Sequence, residues 1–526
     1  MQIIKLKNKL IYITLGLYFV GIFISGCNLK LTNNKKKEYF NEVNRSFVEH
    51  IKKGRTEIFK INFDRYKVNL KSYPIGVFDS GIGGLTVFKE ILQIDHFNNI
   101  THKEGPDNIP DFSSEHFIYL ADQANMPYGA YPSLGKVDFL RELIIRDVVF
   151  LLGSRYWPSE FAKLPLFDKP PVKSVVIACN TATSYGLDML RAAFKEWGLP
   201  VYIVGVVEAG SKGAIEALER REKPGTIAVM ATVGTILSNG YPKAMEKAAS
   251  KASIKNLTVI QEGSIGIAGA VEGDEAFIID KNKRRTTEYK GPSINNPEAL
   301  IDMKTIQAYA FDFKGIIGDK DNPSTWELNS VENYIRYDVT TLVEKYKKSA
   351  PNKPISVVVL GCTHYPFYMD SFTNAFKRLK NFEDDDGDKP YFNLIDEDLI
   401  FIDPSELTAT ELYKHLSGKN LLLEERENSL IKTNEFYISV PNRSIFEGKL
   451  TLDGSFTYEY KYGRSAGNFN IEDVKLVPMS NYNLNDFVQK NIINSMPFVW
   501  KSLVEFNWQS TRTKNLPENA RLKMMN

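Results

Sequence analysis

Lys71-Ser-Tyr-Pro-Ile-Gly-Val-Phe78 is followed directly by Asp79-Ser-Gly-Ile-Gly-Gly84 and by a helix-forming stretch from Leu85 to Leu92. The first segment has the short apolar run of a buried strand, and the glycine-rich segment has the composition of a tight turn into a helix. Similar apolar runs precede other helical stretches, at 172–178, 202–207, 226–230 and 355–360. This alternation predicts an α/β fold with mostly parallel sheets flanked by helices.

Two of these units resemble each other in sequence. Val175-Val-Ile-Ala-Cys179-Asn-Thr181 and Val357-Val-Val-Leu-Gly-Cys362-Thr-His364 both end an apolar run in a cysteine. Ligands of open α/β sheets bind beyond the carboxyl ends of the strands. We therefore expect two pseudo-symmetric domains that face each other, with Cys179 and Cys362 on opposite sides of the cleft between them.

Composition and charge favour a folded protein with a small partner. The 526 residues include 43% hydrophobic and 25% charged residues, which is typical of a globular chain long enough for two or more domains. Lys and Arg number 66 against 64 Asp and Glu, so the net charge is only +2. Such a balance gives no broad electrostatic attraction for nucleic acid. We expect a small-molecule partner and no nucleic acid.

The N-terminus is typical of an exported protein. Three lysines precede an uncharged apolar run at 10–24, which is shorter than the roughly 20 residues of a membrane-spanning helix. The run ends in Ile24-Ser-Gly-Cys27, which resembles a bacterial lipobox with cleavage before the cysteine. We predict a lipoprotein-type signal peptide at 1–26 and a lipid anchor at Cys27, which would hold the protein on the periplasmic or cell-surface side of a membrane. A plain N-terminal membrane anchor is the alternative.

The rest of the chain divides by composition. Irregular charged segments at about 93–115, 273–350 and 381–390 interrupt the α/β pattern and are predicted to be surface insertions. The acidic run at 383–386 lacks the ligand alternation of a calcium loop, so no metal site is predicted. The predicted division is 27–71 as tether and lead-in, 72–205 plus 390–445 as the first domain, 206–389 as the second domain with an insertion at about 273–350, and 446–526 as a C-terminal extension.

The C-terminal extension contains one regular pattern. Phe456, Tyr458, Tyr460 and Tyr462 alternate with polar residues. Alternation with a period of two predicts a strand with one aromatic face.

The cysteines indicate a reaction. The chain has three, and lipidation of Cys27 would leave Cys179 and Cys362 in the folded body. Removing a proton from the α-carbon of an amino acid requires a base on one face, and inverting that carbon requires an acid on the other. A thiol titrates near pH 8.5, so a thiolate and a thiol are both accessible near neutrality. Two cysteines across a cleft would meet this requirement; a disulfide between them is the alternative for an exported chain.

Five separated segments match the pattern of the cofactor-independent glutamate racemases in the family's order. They are Ile75-Gly-Val-Phe-Asp-Ser-Gly-Ile-Gly-Gly-Leu-Thr86, Ala121-Asp-Gln-Ala-Asn-Met-Pro-Tyr-Gly129, Ala178-Cys-Asn-Thr-Ala-Thr183, Gly205-Val-Val-Glu-Ala-Gly210 and Leu360-Gly-Cys-Thr-His-Tyr-Pro366. Weaker matches lie at 232–235, 271–273 and 402–404. The chain therefore resembles this family over roughly 72–445, leaving the leader and the C-terminal extension outside the resemblance.

The resemblance implies a role for each matching residue. Cys179 and Cys362 would be the two acid/base residues, with Asp79 supporting the first, His364 supporting the second, and Glu272 as an auxiliary catalytic group. The residues that contact the substrate would be Asp79, Ser80, Tyr128, Gly129, Asn180, Thr181, Thr363 and His364. Hydroxyls and backbone N–H groups at helix starts suit the carboxylates of an amino acid.

The activity implied is the interconversion of L- and D-glutamate without metal or pyridoxal phosphate, which would supply D-glutamate for peptidoglycan synthesis. Aspartate or another amino acid is an alternative substrate, and a homodimer is compatible with the sequence. A surface lipoprotein that uses the racemase fold only as a binding scaffold is the alternative function, although a scaffold has no need of two thiols.

The sequence also departs from the family. Asp122-Gln-Ala-Asn125 stands where the family usually has Asp-Thr-Ala-Arg, so a basic residue near the cleft is missing. The insertion after Glu272 is long, and export is unusual in a family that is ordinarily cytoplasmic.

Overall fold

The computed structural model describes residues 40–221, 223–280, 284–444 and 449–524. The predicted signal peptide at 1–26, Cys27 and the first part of the predicted tether lie outside the described residues. Within the described part of the tether, Glu42–Lys52 forms a helix that begins at Asn41, whose side-chain oxygen accepts from the Asn44 backbone N–H at 2.8 Å.

Strands and helices alternate along most of the described chain. The strands are β1 (Ile75–Asp79), β2 (Phe117–Ala121), β3 (Ser174–Ile177), β4 (Tyr202–Gly205), β5 (Thr226–Thr232), β6 (Val259–Ser264), β7 (Ile316–Ile317), β8 (Glu327–Leu328), β9 (Ile355–Gly361), β10 (Ile395–Ile402), β11 (Glu435–Pro441) and β12 (Val474–Pro478). The α-helices are α1 (Glu42–Lys52), α2 (Leu85–Gln93), α3 (Ala130–Ser133), α4 (Val137–Leu152), α5 (Asn180–Trp197), α6 (Val206–Glu219), α7 (Val233–Leu237), α8 (Gly240–Lys251), α9 (Ile267–Glu272), α10 (Ile306–Tyr309), α11 (Val331–Lys348), α12 (Met369–Lys380), α13 (Pro404–Gly418), α14 (Tyr458–Gly463), α15 (Asp486–Ser495) and α16 (Pro497–Gln509).

Two sheets organise these elements. The first sheet has the strand order β12-β11-β2-β1-β3-β4, and only the β11–β12 pair in it is antiparallel. The second has the order β10-β9-β5-β6 and is entirely parallel. The short strands β7 and β8 form a separate antiparallel pair. The prediction of an α/β fold with mostly parallel sheets flanked by helices is confirmed.

The five predicted apolar runs all form strands, because each can be buried on both faces of a sheet. Every residue of β1, β3 and β9 is buried, as expected for strands covered by helices on both sides. The turn after β1 passes through Gly84 into α2. A Cβ on Gly84 would lie 2.5 Å from the Cβ of Asp79, so the close return of this turn requires glycine.

The prediction that 390–445 belongs to the first domain is wrong in part. The strand β10 pairs with β9 in the second sheet, whereas β11 pairs with β2 in the first. The chain therefore returns to the first sheet only after β10. Apolar content predicts a strand but does not indicate which sheet edge it extends, because both edges accept the same pattern.

The predicted insertion at about 273–350 is not wholly a surface feature. Its last part forms α11, which packs against α9, α12 and β6 and buries Tyr334, Ile335 and Leu342. Ser330 caps this helix by accepting from the Asn333 N–H at 3.3 Å. A second predicted insertion, at about 93–115, forms turns and an isolated bridge between Phe97 and Glu104 beyond the end of α2. The third, at 381–390, forms turns.

The prediction of an aromatic strand at 456–462 is wrong, since this segment forms α14. The Thr457 hydroxyl accepts from the Tyr460 N–H at 3.3 Å and so begins the helix. Residues four apart share one helix face, so the same spacing also brings Phe456 near Tyr460 and Tyr458 near Tyr462, with ring centroids 5.3 and 4.7 Å apart. Further along, β12 extends the first sheet and α16 packs against α2 and β11.

Candidate active site

Cys179 lies at the carboxyl end of β3 and begins α5. Its sulfur accepts from the Ala182 N–H at 3.4 Å and lies 3.6 Å from the Ser80 hydroxyl oxygen, to which the thiol donates. Cys179 and Cys362 are both buried and both free, so they do not form the disulfide considered above. The turn after β1 and the start of α5 thus place Ser80 beside Cys179.

Asp79 ends β1 and lies next to this cysteine. Its carboxylate accepts from the Gly84 N–H at 2.6 Å and from the Ser80 hydroxyl at 3.5 Å. Burial raises the pKa of Asp79, although the charge of His364 and hydrogen bonds from the Gly84 and Ser80 backbone oppose the rise. Burial and then the negative charge of Asp79 raise the pKa of Cys179 well above its ordinary value. Cys179 is therefore held as a thiol, the proton-donating form.

Cys362 follows β9 and belongs to a second hydrogen-bonded group. Its sulfur lies 3.4 Å from Nδ1 of His364, and Nε2 of His364 lies 2.8 Å from Oε1 of Glu272. Gln123 donates to the other oxygen of Glu272 at 2.7 Å. The imidazole therefore lies between a sulfur and a carboxylate.

This arrangement favours the charged imidazole. Burial alone would lower the pKa of His364, but the negative charge of Cys362 and the hydrogen bond to its sulfur, followed by Glu272, raise that pKa well above its ordinary value. An imidazolium stabilises an adjacent thiolate, so the Cys362 side is suited to removing a proton. The two cysteines thus have opposite electrostatic surroundings.

The two groups meet between the sheets. The Thr363 hydroxyl donates to Asp79 at 3.5 Å, and the Thr86 hydroxyl donates to the Thr363 carbonyl at 3.0 Å. A Cβ on Gly83 would lie 2.6 Å from Cε1 of His364, so the turn after β1 approaches the histidine directly. The carboxyl ends of β1 and β3 in the first sheet therefore face the carboxyl end of β9 in the second, as the sequence predicts for a cleft site.

Asn180, Thr181 and Gly129 lie at the same junction. The Asn180 side-chain oxygen accepts from the Tyr241 hydroxyl at 2.6 Å. The Thr181 hydroxyl lies 3.2 Å from that of Thr232 and 2.9 Å from that of Thr235. Gly129 packs on the same threonine, since a Cβ on it would lie 2.9 Å from Oγ1 of Thr232. These contacts join the start of α5 to the second sheet.

Tyr128 has a different position from the other predicted substrate contacts. Its hydroxyl lies 2.6 Å from carboxylate oxygens of both Asp122, which follows β2, and Asp147 on α4. Burial, followed by the charges of these two carboxylates, raises the pKa of Tyr128 well above its ordinary value. The hydroxyl is committed to this buried network, so the structure does not bring it to the two cysteines.

Sequence reasoning missed several neighbours of the site. Gln123 holds Glu272, and Tyr119 on β2 donates to the Gly81 carbonyl at 3.0 Å. Gln123 lies inside a segment that matches the family, at a position where this chain departs from it, and that departure was the available signal. Tyr119 belongs to a uniformly buried strand, where nothing in the apolar pattern distinguishes a polar contact from core packing.

The C-terminal extension supplies basic residues next to this segment. Arg464 donates to the Asn125 side-chain oxygen at 2.6 Å, and Lys461 donates to the Met126 carbonyl at 2.7 Å. A cation therefore does lie beside Asn125, where the sequence comparison with the family indicated a missing basic residue. This cation, Arg464, directly follows α14 and lies 339 positions further along the chain than Asn125.

Two kinds of feature are absent from the described ranges. Among residues 40–221, 223–280, 284–444 and 449–524, no group of three or more His, Cys, Asp or Glu side chains is arranged to hold a metal ion. The helices of those same ranges include none that is long and apolar enough to cross a membrane.

The chain is similar to proteins that are named glutamate racemases. A glutamate racemase from Clostridium botulinum is 26% identical over 365 residues, which cover 69% of this chain and 92% of that protein. A glutamate racemase from Clostridium novyi is 27% identical over 364 residues, which cover 69% of this chain and 91% of that protein. A crystal structure of a glutamate racemase isoform from Bacillus anthracis is 23% identical with a TM-score of 0.41, covering 70% of this chain and 88% of that one. No family model matches the chain.

Proposed function

We infer that this chain is an amino-acid racemase of the glutamate racemase family. We further infer that it interconverts L- and D-glutamate by proton transfer between Cys362 and Cys179. One observation carries the inference. Two buried, free cysteines end strands of two facing sheets, and their hydrogen-bonded groups meet at the contact between Thr363 and Asp79. Their surroundings favour a base at one cysteine and an acid at the other.

The acid and base roles follow from these surroundings, and the enantiomer given to each cysteine follows the family resemblance. The Cys362 thiolate, paired with the His364 imidazolium, removes the α-proton of L-glutamate and becomes a thiol. The electron pair left on Cα is delocalised into the substrate's carboxylate, and the Cys179 thiol delivers its proton to the opposite face. Cys179 is then a thiolate, which is the form needed to remove the α-proton of D-glutamate in the reverse direction.

The polar groups of the site suit a substrate with two carboxylates. The start of α5 presents the Thr181 hydroxyl and the first backbone N–H groups of the helix, and a helix N-terminus favours anions. The hydroxyls of Ser80 and Thr363 lie beside Asp79, whose negative charge suits the substrate's ammonium group. These features support glutamate, with aspartate as the second candidate, and the D-glutamate formed would enter peptidoglycan synthesis.

Incubation of the full-length protein with L-glutamate in deuterated water tests the proposal. We expect the circular dichroism of the amino acid to decay to zero while deuterium enters at Cα, because each inversion exchanges the α-proton with solvent through a thiol. Proton NMR measures the exchange, and a parallel incubation with L-aspartate measures selectivity. A binding scaffold would leave both the optical signal and the α-proton unchanged.

We also propose that the protein is anchored through a lipid at Cys27, on the periplasmic or cell-surface side of a membrane. The support is the sequence alone, in which an uncharged apolar run ends in Ile24-Ser-Gly-Cys27. Cells given a labelled fatty acid should incorporate it into the wild-type protein and into a matched Cys362→Ala variant, but not into Cys27→Ala. Label that persists in Cys27→Ala would contradict the lipoprotein assignment.

A further inference from the structure

The C-terminal extension contacts the part of the site that holds Glu272. From α14, Lys461 donates to the Met126 carbonyl at 2.7 Å. From α15, Asn491 donates to the Val271 carbonyl at 3.4 Å, and the ring of Phe487 packs on Gly273. The extension thus holds the end of α9 on both sides of Glu272, although its own strand β12 belongs to the first sheet.

Met126 lies directly between Lys461 and the catalytic group. Its carbonyl accepts from the lysine, while its sulfur lies 3.6 Å from Nε2 of Gln123, the residue that holds Glu272. A Cβ on Gly81 would lie 2.7 Å from the Met126 sulfur and 2.8 Å from Oε1 of Glu272, so both side chains lie against Gly81. Lys461 is therefore linked through Met126 and Gln123 to the carboxylate that pairs with His364.

The charges around Lys461 are mostly negative. The charged groups that face it are Asp274 after α9, Asp122 after β2, Glu272 at the end of α9, and Arg464 after its own helix. The three carboxylates, against one other cation, offset part of the cost of removing the Lys461 ammonium from water.

We propose that Lys461 is a positioning residue of the racemase site, which holds Met126 in place and balances the negative charge that Glu272 directs at His364. The C-terminal extension, which lies outside the resemblance to the family, would then be a required part of this enzyme. The inference rests on the proposed racemase activity.

The state of Lys461 near neutral pH gives the proposal a measurable signature. Burial lowers the pKa of Lys461 to about 8, with Asp274 opposing the shift and Arg464 adding to it. Lys461 is therefore charged at pH 7 and loses its charge on the alkaline side. Loss of one cation leaves the site more negative, so neighbouring groups bind protons more readily and, at a given pH, less of the Cys362 side is in the deprotonated form that removes the α-proton.

The test is the pH profile of kcat/KM for L-glutamate, measured on full-length wild-type protein and on Lys461→Met, Lys461→Arg and Lys501→Met. Lys501 lies exposed on α16 of the same extension, so Lys501→Met is the matched control. We expect Lys461→Met to lower kcat/KM about tenfold at pH 7.5 and to move the acid limb up by about one pH unit. Lys461→Arg should keep activity at pH 7.5 and move the alkaline limb to higher pH, because a guanidinium stays charged there.

Each outcome bears on the proposal. The proposal is supported if the acid limb of the Lys461→Met profile and the alkaline limb of the Lys461→Arg profile both move to higher pH. A Lys461→Met profile equal to that of Lys501→Met would overturn it, as would a uniform loss of activity with both limbs unmoved, which indicates packing alone. If Lys461→Met fails to fold, the alkaline limb of Lys461→Arg decides, and a limb identical to wild type overturns the proposal. Wild-type protein that does not racemise glutamate would instead refute the proposed function on which this inference rests.

Discussion

Racemisation should fall by at least about 10³-fold when either Cys179 or Cys362 is replaced by serine, because positioned acid/base groups contribute about 10²–10⁴-fold each and inversion requires both faces. Serine is close in size to cysteine, so the buried contacts to Ser80 and His364 can persist. Its hydroxyl does not ionise near neutral pH as a thiol does. The measurement is decay of circular dichroism from each enantiomer of glutamate.

The two variants should differ when the opposite acid is not needed. A β-substituted glutamate can lose its leaving group after deprotonation, so a single surviving base is sufficient for elimination. Cys179→Ser should therefore still act on the L-analogue through Cys362, and Cys362→Ser on the D-analogue through Cys179. The assignment of each cysteine to an enantiomer follows the family resemblance, and the elimination rates test it directly.

A matched control is available in the third cysteine. Cys27→Ser makes the same chemical change outside the resemblance to the family, and purified protein with this change should racemise at the wild-type rate. Equal loss of elimination on both enantiomers would argue against opposed bases. Full racemisation by Cys179→Ser or Cys362→Ser would exclude that cysteine from the chemistry.

The parts of the fold that could be predicted are those with a local signal. Buried parallel strands are continuous apolar runs, so β1, β3 and β9 were recognisable without knowing their neighbours. The chemistry-bearing residues lie just after those runs, and the carboxyl ends of strands are where ligands bind in such sheets. Asp79, Cys179 and Cys362 were therefore accessible to sequence reasoning.

The parts that could not be predicted depend on distant pairing. The choice of sheet for β10 depends on which edge is open once the other strands have formed. The contact from Gln123 to Glu272 joins residues 149 positions apart, and that from Lys461 to Met126 joins residues 335 positions apart. A single sequence without relatives carries no pattern that reports such pairs.

The position of Glu272 at the site depends on the fold of the insertion that follows it. In the sequence it stands before a long insertion, and sequence alone does not show whether the chain around it stays at the site. The structure ends α9 at Glu272, and α11, which closes the insertion, packs against α9. The carboxylate thereby reaches His364 at 2.8 Å. A long insertion can leave a site intact when its ends return to the same core.

Replacing Glu272 with glutamine should lower kcat/KM for L-glutamate by about 10²-fold, at the lower end of what acid/base groups contribute, because Glu272 acts through His364. The amide keeps the size of the side chain but removes one of the two negative charges that raise the pKa of His364. In the wild type these charges raise the pKa of His364 above its ordinary value. In Glu272→Gln the pKa of His364 should fall, so that His364 loses its proton at lower pH and the activity declines from a correspondingly lower pH on the alkaline side.

Proton NMR of the histidine ring can follow this change, with His364→Gln identifying the signal among the six histidines of the chain. Glu275→Gln is the matched control, because Glu275 lies three residues further on and accepts from Thr286. It should leave both the titration of His364 and the turnover unchanged. If Glu272→Gln also left them unchanged, the carboxylate would not be setting the charge of His364. Cys362 would then act as a base through its contact with the imidazole alone, independently of the hydrogen bond between His364 and Glu272.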